Sequence, residues 1–431
     1  MPAAPFRRRQ LSALSPEKRK FRAPKAKKIA LLLFGTAALL FLAGWQVFNA
    51  LLAPLPAIRE NFAKLAGFGE PARWLLLFQN PAELRPTGGF LTALGEVEIR
   101  RGLPRDLKIL DSYAIPAPEE KRKAPAEMAE LFGIDPKFDG SWWIRDANWA
   151  PDFETAVAAI ESFLPTATRQ QPLANSQQPT ANSHFALAAD LSFLENLLEI
   201  LDGADAGGRH FTKENLFAEL AAAKGEADMH DLDSLAERKG ILAELGRAVL
   251  KKATGKPARW MEIARETRRA LDEKHLLLFA REEEIEEDFR EAGWAGELTA
   301  EEELWLAPVF ANLGGGKTDR WLQRRFETEI SLGAEGRVEG KTRISLEHLG
   351  AEGKETPLSG DWRGNFRLFA APGIELVEEG NKKKAAAKIP LPPREGQGEG
   401  SCRGELPNEE ETVAAKSQQL IANCQLAISP G

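Results

Sequence analysis

The residues best placed to do chemistry lie in one short segment, Asn80-Pro81-Ala82-Glu83-Leu84-Arg85-Pro86-Thr87-Gly88-Gly89-Phe90. Arg85 offers a planar guanidinium that can hold a carboxylate or phosphate in a bidentate fork, with Glu83 two residues away to orient it. Gly88 and Gly89 can take positive φ and let a ligand approach backbone N–H groups, and Asn80 and Thr87 add polar side chains to the same turn. The same residues also fit a rigid turn in which Glu83 and Arg85 do no more than order one another.

A second cluster runs from Ser141 to Asp152 as SWWIRDANWAPD. Its indole rings, Trp142, Trp143 and Trp149, suit stacking on a sugar or lining an apolar groove, with Arg145, Asp146 and Asn148 as polar handles. They equally suit packing anchors, with Asp152 as a helix cap. A third segment, Ala311-Asn312-Leu313-Gly314-Gly315-Gly316-Lys317-Thr318-Asp319, imitates a phosphate loop. The pattern G-x-x-x-x-G-K-[ST] needs glycine at position 311, where this chain has alanine, so nucleotide hydrolysis is excluded. Lys317 then remains as an anion contact on a glycine-rich bend. Glu83, Asp146 and Asp152 are the carboxylates open to a divalent cation such as magnesium. There is no G-x-S-x-G or H-E-x-x-H pattern, and His184, His210, His230, His275 and His348 are scattered, so no catalytic residue is assigned.

These residues must be positioned by a mixed α/β framework. The apolar run Trp74–Gln79 predicts a buried central strand ending at the Asn80 segment, followed by strands at Phe90–Arg100 and Asp106–Leu110. Pro125–Phe132 and Asp152–Leu164 read as helices, the second with Asp152 at the N-cap and Ala156, Ile160 and Phe163 on one face. Residues 165–183 switch to Gln, Asn, Pro, Ser and Thr with a near-duplicate unit, QQPLANSQQPTANS, and read as a low-complexity insertion. A strand at His184–Ala189 and a helix at Asp190–Leu201 follow, then a helical block over 212–223, 232–253 and 258–271. Strands return at His275–Phe279 and Leu304–Asn312, with a hairpin of Arg320–Leu332 and Arg337–Leu346. The expected class is one large mixed-sheet α/β domain over 73–378 with a helical block, and a disordered tail over 379–431.

Composition sets the cellular context. A hydrophobic fraction of 43% and a charged fraction of 28% are ordinary for a soluble fold, so membrane character must be local. It is concentrated in Ile29–Ala53, which has no ionisable residue and is long enough to cross a hydrocarbon core of about 30 Å as a helix. Ahead of it, residues 1–28 carry ten bases and one acid, which keeps that flank cytoplasmic and places everything after about Ala53, starting with a 54–72 linker, outside the membrane. Without the first 28 residues the chain's 57 bases and 64 acids become 47 and 63, a net charge of −16 that argues against nucleic acid as a partner. Cys402 and Cys424 are the only cysteines, enough for one bridge in an oxidising compartment but not for a disulfide framework.

NPAELRPTGGF, WWIRDANWAPDF, GWAGEL at Gly293–Leu298 and ANLGGGKTD, in that order, resemble a bacterial family known as domain of unknown function 4012 over about Arg73–Gly373. The resemblance implies a membrane-anchored extracytoplasmic protein and brings no activity with it. In plan the chain is also distantly similar to the LytR-CpsA-Psr cell-wall ligases, which share a cytoplasmic tail, one anchor and an exported α/β domain. That similarity implies a polyprenyl-phosphate or glycan ligand, with Arg85 gripping phosphate and Asp146 or Asp152 helping a metal. Two functional classes follow: a cell-envelope protein that binds, and on the ligase analogy transfers, such a ligand, and a non-enzymatic exported scaffold or adhesion module.

Overall fold

The computed structural model describes residues 46–115, 122–125, 128–129, 141–165, 180–181, 183–225, 232–298, 305–314, 316–332, 338–349, 362–370, 400–403 and 419–428. It divides the chain into a short unit up to Leu51 and a large compact unit from Leu52 onward. In the short unit, residues 46–51 are helical. No helix among the described residues is long and apolar enough to cross a membrane. Most of the expected span, 29–45, lies outside them, as do most of the expected helix Pro125–Phe132 and of the insertion.

The large unit is built on a five-stranded sheet of order β3-β2-β1-β6-β9. Its strands are β1 (Ala72–Asn80), β2 (Phe90–Arg100), β3 (Leu103–Asp111), β6 (Phe185–Asp190) and β9 (Leu276–Ala280), while β4 (Arg122–Lys123) and β5 (Ser141–Trp142) pair apart from it. β1 is central, pairing antiparallel with β2 and parallel with β6. A strand covered on both faces must be apolar on both, which is why WLLLF is continuous rather than alternating. Leu75 and Leu77 point to one face, where they meet Ala186, Ala188 and the helix α3 (Phe153–Glu161) through Phe153, Val157 and Ile160. Ala72 and Trp74 point to the other, against α7 (Trp260–Asp272) and α8 (Glu283–Glu291) through Leu271, Ile285 and Phe289. The unit is thus three layers thick, helix on sheet on helix. The preceding helices α1 (Pro56–Glu60) and α2 (Phe62–Leu65) close the second face with Ala57 and Leu65.

Helix starts follow the sequence closely. Asp152 accepts from Thr155 N at 2.8 Å to cap α3, and Asp190 accepts from Phe193 N at 3.1 Å to cap α4 (Leu191–Leu201). The Leu191, Leu194, Leu198 and Leu201 stripe packs on the helical block, α5 (Leu216–Gly225) and α6 (Leu232–Gly255). Between α4 and α5 the chain makes a small hairpin, β7 (Ala204–Ala206) and β8 (Arg209–Phe211), too short for a periodic pattern to announce. α8 was also not foreseen, because in its sequence EEIEEDFRE the only apolar residues are Ile285 and Phe289.

One correction concerns the C-terminal half, which holds a second, four-stranded antiparallel sheet of order β10-β13-β15-β14. Its strands are β10 (Leu306–Asn312), β13 (Trp362–Ala370), β14 (Gly400–Arg403) and β15 (Gln419–Ile428). The expected disordered tail therefore contributes two strands. Its Pro, Gly, Lys and Glu content dominates the average, hiding the run QLIANCQLAI that forms β15. The ribbon of β11 (Leu322–Leu332) and β12 (Val338–His348) packs at its base on Phe310, Trp362 and Phe366 through Ile344 and Leu346.

At the edge strand β9, Glu286 of α8 is 3% exposed and accepts from Ala280 N at 2.6 Å. Burial pushes its carboxyl up from 4.5 to about 7, opposed by the Ala280 N–H and by Arg290. A raised pKa in the folded state contributes stability that is complete below the unfolded value and is lost as pH rises through about 7. Glu286→Gln mimics the protonated form. Urea denaturation is expected to show the variant gaining on wild type between pH 4.5 and 7, by on the order of 3 kcal/mol in all. A pH-independent difference would show that Glu286 does not titrate in this window.

Candidate functional site

The segment that ends β1 folds back on itself before β2 begins. Asn80 Oδ1 accepts from Ala82 N at 3.0 Å, and Glu83 O accepts from Phe90 N at 2.8 Å. Gly88 has φ +124°, and a Cβ there would sit 2.8 Å from Gln79 Oε1. A Cβ on Gly89 would sit 2.4 Å from the Asn80 carbonyl carbon. Gly88 is thus required by its backbone conformation, and Gly89 by the close packing of the loop against its own β1 stem. Thr87 Oγ1 accepts from Gln79 Nε2 at 2.9 Å and from Asn148 Nδ2 at 2.8 Å, and Asn148 also donates to Gly89 O at 2.8 Å.

Arg85 sits at the centre and is only 2% exposed. Its Nη2 donates to Asp146 Oδ1 at 2.9 Å and to Glu83 Oε1 at 3.2 Å, and its Nε donates to Asp146 Oδ1 at 3.2 Å. Nη1 donates to Leu84 O at 3.2 Å and to Asn312 O at the end of β10. The guanidinium lies over the Phe90 ring, 5.2 Å from its centroid. Burial opposes the charge, but Asp146 and Glu83 outweigh it and hold the pKa above the ordinary arginine value. Arg85 is therefore fully engaged inside the protein, and its chemistry there is cross-linking.

The loop is tied equally firmly to the second sheet. Leu84 N donates to Asp319 Oδ2 at 2.9 Å, and Asp319 N donates to Ala82 O at 3.1 Å. Asp319 also accepts from Asn312 Nδ2 at 2.7 Å, from Trp362 Nε1 at 3.0 Å and from Arg324. Asn312 and Asp319, which sequence reasoning did not select, thus carry the glycine-rich bend, and the GGGKTD pattern serves this bend. Lys317 lies over Phe217 of α5, 5.3 Å from the ring centroid, rather than beside Arg85.

Of the tryptophans, Trp142 donates to Asp146 O at 3.1 Å and packs edge-on against Phe163, while Trp149 is buried under Arg367, 4.4 Å from its ring centroid. They are packing anchors. Trp143 differs. Its ring lies 5.2 Å from the Arg145 guanidinium, which also stands 5.1 Å from the ring of Tyr113. Arg145 touches Asp146 Oδ2 at 3.3 Å, yet its side chain keeps 35% of its exposure. Tyr113, the chain's only tyrosine, is placed by Asp111, whose Oδ1 accepts from Tyr113 N at 2.9 Å. Burial raises its phenol pKa and Arg145 opposes the rise, so the hydroxyl stays protonated at neutral pH. Nearby, Ser112 Oγ and Trp143 Nε1 are buried without a hydrogen-bond partner in the described protein.

The candidate set is thus resolved into groups. Asn80, Glu83, Arg85, Thr87, Gly88, Gly89, Asp146 and Asn148 form one interior network, Arg145 lies at its surface, and Lys317 packs on α5. The metal candidates do not assemble: Asp146 is bound to Arg85 and Arg145, while Asp152 caps α3. Among the described residues no group of three or more His, Cys, Asp or Glu side chains could hold a metal ion.

Comparison with known proteins gives a partial family match. Residues 69–224 match the model of a protein family of unknown function, DUF4012. The DUF4012 match covers β1 through α5 and so includes both segments of the Arg85 network, whereas GWAGEL and ANLGGGKTD fall outside it. A search of curated proteins finds no match. Solved structures similar to the chain include TagV of Bacillus subtilis, at 14% identity over 52% of this chain and 81% of that one, with a TM-score of 0.28. A LytR-Csp2A-Psr enzyme of Actinomyces oris shows 11% identity over 52% of this chain and 75% of its own, with a TM-score of 0.29. A Bacillus subtilis protein described as the transcriptional regulator yvhJ shows 14% identity over 57% and 86%, with a TM-score of 0.27.

Removing Arg85 leaves the buried Asp146 facing only the part-exposed Arg145 as countercharge among the described residues. Arg85→Ala is expected to cost about 3–5 kcal/mol in urea denaturation, the usual penalty for breaking a buried ion pair from one side. An unchanged denaturation midpoint would show that the guanidinium does not hold the loop.

Proposed function

We propose that the chain is a membrane-anchored cell-envelope protein that binds a lipid-linked phosphate or glycan outside the membrane at the surface formed by Arg145, Tyr113 and Trp143. One observation carries the reading: Arg145 is a cation within 5.2 Å of two aromatic ring centroids and still one-third exposed, beside the Asp146 that the Arg85 network holds. A guanidinium in this setting suits an anionic group, and the adjacent rings suit a sugar or isoprenoid face. Anchoring by Ile29–Ala53, with the basic N-terminus in the cytoplasm, would hold such a surface close to lipid-linked ligands. Transfer of the ligand would make the protein an enzyme, with magnesium as the cation to test.

A scaffold or adhesion role is the second reading, favoured by the burial of Arg85, since the DUF4012 loop then serves only to fasten two sheets together.

A polyprenyl-pyrophosphate analogue, titrated into the detergent-solubilised chain with and without magnesium, separates the two. At about 100 times its dissociation constant a ligand selective for the folded state adds about 2.7 kcal/mol. We expect a rise in melting temperature that Arg145→Ala abolishes while leaving the unliganded melting temperature within a few degrees of wild type. No rise at saturating analogue would remove the ligand reading and leave the scaffold.

A further inference from the structure

β14 is an edge strand of four residues whose ladder is with β15: Gly400 opposite Leu426, Ser401 opposite Gln425, Cys402 opposite Cys424 and Arg403 opposite Asn423. The two cysteines of the chain are therefore direct partners in one antiparallel register. Residues directly opposite in such a ladder have Cα atoms about 4.5 or 5.5 Å apart, depending on the hydrogen-bonding position, and both spacings lie within the roughly 4.4–6.8 Å range that a disulfide spans. Opposed residues also share a face of the sheet, whereas a shift of one residue would place the two on opposite faces.

We infer that Cys402 and Cys424 form an intramolecular disulfide that fastens the edge strand β14 to β15. Formation proceeds by exchange with a disulfide-bearing oxidant. One cysteine thiolate attacks a sulfur of the oxidant, giving a mixed disulfide and releasing one thiol. The second thiolate then attacks the chain's own sulfur in that mixed disulfide and displaces the other thiol. Two chain thiols become one disulfide, and the oxidant's disulfide becomes two thiols. The inference rests on strand register and is independent of the ligand surface at Arg145.

The test uses the full chain in detergent, equilibrated with oxidised and reduced glutathione at an extracytoplasmic ratio, then denatured and alkylated. Intact mass should show no adduct without reductant and two adducts after reduction, in a monomeric chain. Peptide mapping should recover the segments containing Cys402 and Cys424 as one cross-linked species. Moving one thiol by a single position, in the double variant Cys402→Ser with Ser401→Cys, should sharply reduce cross-linking to Cys424. Two adducts without reductant, or a disulfide joining two chains, would overturn the inference. Undiminished cross-linking in the shifted variant would overturn the register on which it depends.

Discussion

A buried arginine can persist only where its charge and all its N–H groups are answered, and Arg85 satisfies that demand by drawing three distant parts of the chain to one point. Asp146 supplies the countercharge from the 3-10 turn after the paired tryptophans, Glu83 adds to it from the loop itself, and Asn312 supplies a carbonyl from the end of β10. None of these groups could be replaced by water without leaving a charge in an apolar surround. The constraint therefore runs outward: the loop must fold back, the turn must dock, and the second sheet must stand where its carbonyl reaches the guanidinium.

Asp319 repeats the logic with the sign reversed. It is an acid whose oxygens are met by a backbone N–H, an asparagine amide, an indole N–H and an arginine, and it places Trp362 beneath the same loop. Leu84 fills the gap between the two polar centres by packing into the apolar cluster of the second sheet. The two sheets are thus joined by alternating polar and apolar contacts, and Arg145 stands where this rigid framework reaches the surface beside Tyr113.

Sequence patterns reported local order well and connectivity poorly. β1 was legible because five apolar residues in succession have few other uses, and the cap at Asp152 was legible because a carboxylate ahead of a helical stripe has a direct physical role. The reach of Arg85 to Asp146, 61 positions away, was not legible, since nothing local distinguishes an arginine that will be buried from one that will bind a ligand. Tyr113 escaped attention because its importance comes from packing on Arg145 rather than from any motif, although its being the only tyrosine was a visible signal. β15 was obscured by reading the C-terminal region through its average composition rather than its apolar run.

The insertion between α3 and β6 enters and leaves the fold at one place. Pro165 O accepts from Ala181 N at 3.1 Å, and Thr180 is fastened by its N and Oγ1 to Glu96 Oε2 of β2 at 2.8 and 2.6 Å. The two ends of the insertion are thus tied to each other and to the sheet by contacts of their own. For a flexible closed segment, doubling its length adds only about 0.6 kcal/mol of closure entropy. The tandem units QQPLANS and QQPTANS lie in and beside this span, so gain or loss of a copy by slippage in the gene would be nearly silent to folding. Length at this one place is free to drift while the register of the surrounding sheet stays fixed.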